Sequence, residues 1–130
     1  MSAPADMTKI SAKGGAVFSG TACRSDLIWI LDFDPTDGPD GHYYQTNEDP
    51  LEIDGNGTWS FPNAPIGNDG DYVGTVYPIV VLRASPDCSA ALQGMPADSS
   101  GTVRFTPLPA SCPPSGNADH KTVRVVNDGP

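Results

Sequence analysis

The chain has 130 residues, a length suited to one domain with an ordered core over about residues 8–126, and carries 7 Lys+Arg against 16 Asp+Glu for a net charge of −9. That balance argues against non-specific binding to nucleic acid or anionic lipid, which needs clustered Lys and Arg. The longest unbroken apolar run, Leu27–Leu31, is far shorter than the ~18 residues of a membrane-spanning helix, so no membrane insertion is expected.

With 14 Gly and 14 Pro, almost every window long enough for a helix is interrupted, while strand patterns are frequent. Thr8–Ser11 and Ala16–Cys23 are short and half apolar. Leu27–Phe33 is the strongest run: Leu27, Trp29, Leu31 and Phe33 fall on one face and Ile28 and Ile30 on the other, which predicts a central strand buried on both sides. His42–Thr46, Leu51–Ile53 and Gly57–Phe61 follow as shorter strands. Tyr72–Ala84 alternates over a long stretch, and Pro78, which cannot donate to a ladder, predicts a bulge or an edge there. Ser89–Gln93 reads as one helical turn stopped by Gly94, and Thr102–Thr106 and Lys121–Val126 complete the series. Turn dipeptides such as Asp37-Gly38, Asp40-Gly41, Asp54-Gly55 and Asp69-Gly70 punctuate these runs. The expected fold is all-β, an antiparallel β-sandwich of 7–9 strands with one short helical turn near residues 89–93.

The charge is local. Residues 25–82 hold no Lys or Arg and eleven acids, so that stretch carries −11 and the remainder +2. Fourteen of the sixteen acids are Asp, the acid of turns rather than of helices. Asp32, Asp34, Asp37 and Asp40 could supply carboxylate oxygens to a calcium ion. The spacing departs from an EF-hand loop at Thr36, Asp37 and Tyr43, so turn formation and a soluble surface compete with that reading. Asp54, Asn56 and Thr58 carry the same two readings, with the hairpin turn favoured. Tyr43, Tyr44 and Tyr72 are candidates for a ligand-binding face, although consecutive strand residues such as Tyr43 and Tyr44 must point to opposite sides. Trp29 and Trp59 read as core. With two His and no G-x-S-x-G, no catalytic set emerges, and an enzyme is not expected.

Three cysteines allow one bridge. Cys88–Cys112 is preferred because both lie in Pro/Ser-rich loop sequence, and closing about 25 residues would stabilise by roughly 3–4 kcal/mol. Cys23–Cys88 and Cys23–Cys112 stand as alternatives; in the preferred pairing Cys23 is a buried free thiol. A bridge implies an oxidising, extracellular or cell-surface setting. No signal peptide is read between Met1 and Met7, so an exported protein would present this chain as an excised domain.

Leu27–Phe33 with Trp29, then His42-Tyr43-Tyr44, then Asp54-Gly55-Asn56-Gly57-Thr58-Trp59-Ser60, then Ile66-Gly67, then Tyr77–Ala84 form an ordered series. The series resembles immunoglobulin-like modules of exported bacterial, especially actinobacterial, proteins over residues 8–126. That resemblance implies an immunoglobulin-like sandwich with a binding, adhesion or spacer role and no catalytic residues. Cys23 followed by Trp29 is similar to the Cys and Trp of strands B and C, but Tyr77–Leu82 holds no Cys to complete an inter-sheet bridge. The expectation is therefore a monomeric, non-catalytic extracellular interaction or spacer module without a deep polar pocket, whose partner is a protein or glycan of basic character. The alternative is a calcium-dependent or carbohydrate-binding sandwich, calcium being the one cofactor considered.

Overall fold

The computed structural model describes residues 8–10, 16–64, 66 and 72–127. Asp69, Asp71 and the tail 128–130 lie outside the described residues. The elements are β1 (Thr8–Ile10), β2 (Ala16–Thr21), β3 (Leu27–Asp34), β4 (His42–Gln45), β5 (Thr58–Ala64), β6 (Val76–Ala84), α1 (Pro86–Gln93), β7 (Arg104–Phe105) and β8 (His120–Asn127). Among the described residues no helix is long and apolar enough to cross a membrane.

The fold is all-β and sandwich-like. Six strands form one sheet in the order β1-β8-β6-β3-β4-β7, and β2 and β5 pair in a second, smaller sheet. All pairings are antiparallel except that of β1 with β8. The two faces of β3 explain the layering. Ile28 and Ile30 join Phe18, Trp59, Ile79, Val81 and Val125 in the core between the sheets. Trp29 and Leu31 join Val80, Leu82, Leu92, Phe105 and the two bridged cysteines in a second core on the opposite face, covered by α1 and the segment that follows it. Both tryptophans are fully buried, as the sequence predicts, but in different layers.

The helix begins earlier than Ser89. Ser85 adopts an extended conformation and its hydroxyl accepts a hydrogen bond from the Cys88 amide at 3.1 Å, while Pro86 takes the first turn, where its missing N–H is harmless. The helix lays Cys88, Ser89 and Leu92 against the sheet. Ser85→Ala should therefore lower the unfolding free energy by about 1 kcal/mol and Ser85→Asp should retain most of it, as read from urea midpoints at constant slope.

Cys88 and Cys112 are disulfide-bonded. Cys23 is a free thiol, but it is exposed rather than buried: it sits in the turn after β2, where its amide donates to the Asp26 carboxylate at 2.8 Å. Pro78 stands at a local edge, as its missing N–H predicts, though within a strand that is central further on. It lies in β6, between β3 and β8, and the β6–β8 register runs through it from Val76↔Val126 to Leu82↔His120 without a shift. It is tolerated because the β3–β6 ladder ends at Asp32↔Ile79, one residue before it, so no bond to β3 needs its absent N–H.

Candidate functional site

Past Asp32↔Ile79 the two central strands part. β3 continues to Asp34, paired only with β4, and β6 begins at Val76, paired only with β8. An open cleft of about 740 Å³ occupies this region. Asp32, Asp34 and Thr36 line it from β3 and the turn after it, Thr75, Tyr77 and Pro78 from the residue before β6 and the start of that strand, and Tyr44, Thr46 and Glu48 from β4 and its sequel. Glu48 was not singled out from the sequence. The cleft is made by strand divergence that no local pattern announces.

The turn after β3 is built by its aspartates. Asp34 Oδ1 accepts from the Thr36 amide at 2.9 Å and the Thr36 hydroxyl at 2.7 Å, the local bonding for which Asp is favoured in turns. Gly41 closes the turn with φ +72°, and a Cβ there would meet Phe33 Cζ at 2.6 Å, so both backbone and space require glycine. Asp54 plays the same part in its hairpin, accepting from the amides of Asn56 and Thr58 at 2.9 Å each.

Beside the cleft stands a charged cluster. Arg104 of β7, opposite Tyr44 in the ladder, grips Asp37 with two bonds, Nε to Oδ2 at 2.7 Å and Nη2 to Oδ1 at 2.8 Å. The Tyr44 hydroxyl donates to the same carboxylate. His42 Nδ1 donates to the Asp37 carbonyl at 2.6 Å and lies 3.7 Å from its carboxylate. The Arg104 and Tyr44 bonds hold the Asp37 carboxyl well below the usual carboxylate range. The same carboxylate, with burial, pushes the Tyr44 phenol up. Because the folded state binds the Asp37 proton more weakly than the unfolded chain, this group stabilises the fold above about pH 4, and the contribution is lost as pH falls toward the depressed folded value. The melting temperature of Asp37→Asn should thus lie below that of the parent at pH 7, with the gap narrowing below about pH 4. A gap constant from pH 7 to pH 2 would remove the ionic account.

The predicted site residues are distributed as follows. Asp37 is committed to Arg104 and Tyr44, so a cation there would have to displace an arginine. Asp40 lies exposed in the turn, and among the described residues no three His, Cys, Asp or Glu side chains converge as a metal site. Tyr43 and Tyr44 do point to opposite faces. Tyr43 packs between Phe33 and Phe105, with ring centroids 4.7 and 5.6 Å away, on the helix-covered face, and burial pushes its phenol up. Tyr44 lines the cleft, and Tyr72 is 88% exposed beyond the start of β6. The three tyrosines therefore do not form one face.

Two residues that organise the region escaped the sequence reading. Arg104 is 67 residues from Asp37, and its only signal is that it is the sole Lys or Arg between Arg83 and Lys121. Asn47 is buried and continues the edge of β3 with its side chain, Oδ1 accepting from the Ile30 amide at 2.9 Å and Nδ2 donating to the Asp49 carbonyl at 2.8 Å. Both histidines bond main-chain carbonyls, His42 that of Asp37 and His120 that of Pro113 at 2.9 Å. Comparison with protein-family models, with curated proteins and with solved structures finds no significant match to the chain.

Proposed function

We propose that the chain is a non-catalytic interaction module of an exported bacterial protein, acting as a monomer outside the cell. The observation that carries this reading is the open cleft at the divergence of β3 and β6, with the acidic residues Asp32, Asp34 and Glu48 in its lining. Each histidine spends Nδ1 on a main-chain carbonyl, which fixes the orientation of its ring. The disulfide supports an oxidising compartment. The strand order supports the immunoglobulin-like reading: β8-β6-β3-β4 follows the order G-F-C-C′ of a variable-type domain, and β2–β5 corresponds to its B–E pair. Trp29, on the strand equivalent to C, departs from that pattern by facing the helix-covered core.

The test is a titration of the isotopically labelled, disulfide-intact chain with short peptides and oligosaccharides, run beside ester, peptide and glycoside hydrolysis assays. Amide shifts clustered on residues 32–36, 44–48 and 75–78 without turnover are expected. Turnover above the buffer rate that a folded His42→Ala variant loses would overturn the reading.

A further inference from the structure

We infer that the cleft receives an extended segment of a partner protein in which Lys or Arg side chains stand beside apolar ones. This rests on the interaction reading above and names the ligand. The first support is the geometry of the two walls. Beyond the Asp32↔Ile79 pair, the end of β3 and the start of β6 each keep one ladder partner, β4 and β8 respectively, and both line the cleft. Two diverging strand ends are a setting in which an extended chain can lie along backbone.

The second support is charge. Asp32, Asp34 and Glu48 contribute to the lining, and no Lys or Arg does among the described residues. The surrounding stretch of 25–82 carries −11. A cationic side chain is attracted there, whereas a second copy of a chain with net charge −9 is repelled.

The third support is the rim. Val76, which lines the cleft, is a large apolar side chain 43% exposed. An apolar side chain left partly in water in the wall of a cleft with acidic residues in its lining suits a ligand that alternates cation and apolar group. A neutral glycan fits less well. It lacks the net charge on which longer-range attraction to the carboxylates depends, and of the cleft's two tyrosines Tyr44 is half-buried with its hydroxyl on Asp37 and Tyr77 is buried.

The experiment uses the full chain with its disulfide intact and two blocked octapeptides, (Val-Lys)4 and (Val-Glu)4, with cellohexaose as the glycan probe. Labelled chain is titrated with each at 20 and 200 mM NaCl. The Lys peptide should shift amides at 32–36 and 75–78, and its affinity should fall at least ten-fold at the higher salt. Asp34→Asn combined with Glu48→Gln should weaken it about ten-fold more than Glu52→Gln, an exposed acid away from the cleft. Asn keeps an oxygen for the Thr36 turn, and unchanged melting temperatures verify the fold of both variants. Failure of the Lys peptide to bind, equal binding of the Glu peptide, or equal weakening by Glu52→Gln would overturn the inference. Cellohexaose shifting the cleft amides while the Lys peptide does not would also overturn it, yet would leave the interaction reading standing. Hydrolytic turnover is the result that would remove the interaction reading itself.

Discussion

Trp29→Ala should lower the unfolding free energy by about 4 kcal/mol, at the upper end of what single substitutions do. Trp29 is fully buried in the central strand, and its Nε1 donates to the Ser89 hydroxyl at 3.0 Å, so one side chain ties β3 to α1. Truncation leaves a large cavity between sheet and helix and a buried hydroxyl without its donor. If the alanine variant fails to fold, Trp29→Phe keeps most of the volume and isolates the bond. It should cost about 1 kcal/mol more than Trp59→Phe, because Trp59 Nε1, though buried, has no acceptor among the described residues. Urea titrations at constant slope measure all three. Equal losses for the two phenylalanine variants would show that the Trp29–Ser89 bond adds nothing net.

Removing the Cys88–Cys112 bridge, by the double Ala variant or by reduction, should cost about 3.5 kcal/mol and lower the melting temperature by roughly 10–15 °C. The bridge closes a loop with a sequence separation of 24, and freeing it restores that entropy to the unfolded chain. Both cysteines are buried with Trp29, Leu31, Leu92 and Phe105, so the loss falls on the core beneath α1. Hydrogen exchange should accordingly speed up in α1 and β7 before it does in β2 and β5, which line the other core. Scanning calorimetry with and without reductant gives the total. A change under 1 kcal/mol would mean that packing on that face restrains the segment without the covalent link.

These two effects sit on features with very different visibility in the chain. Leu27–Phe33 could be read as a doubly buried strand because each of its faces is apolar at the two-residue period, and the structure places β3 at the centre of the six-stranded sheet. The alternations of Tyr77–Arg83 and Lys121–Val126 were legible for the same reason, as was the hairpin after Asp54, whose turn chemistry is local. The helix start was legible in principle: Ser85-Pro86-Asp87 is a cap followed by two good first-turn residues.

Period-two patterning settles that Trp29 and Ile28 part company, but not which of them meets the smaller sheet and which meets the helix. That assignment depends on where 85–119, a segment with two short elements and many turns, comes to rest. The Asp37–Arg104 grip joins the turn after β3 to β7 across 67 residues, through a ladder that only the assembled β4–β7 edge supplies. The exposure of Cys23 turns on whether anything packs over the bend after β2.

Local chemistry in the chain thus decided the longer strands, the Asp34 and Asp54 turns, the acidic character of residues 25–82 and the means of capping α1, because each is settled by neighbours within a few positions, whereas Leu51–Ile53, expected as a strand, makes only isolated bridges. Tertiary structure alone decided the cleft. Pro78 lowers the number of bonds β6 can offer β3, but whether the strands part at that point, and which acids then face the gap, follows from long-range pairing of β3 with β4 and β6 with β8. Pairing of that kind is a property of register between distant segments, and a single segment carries no record of its partner's register.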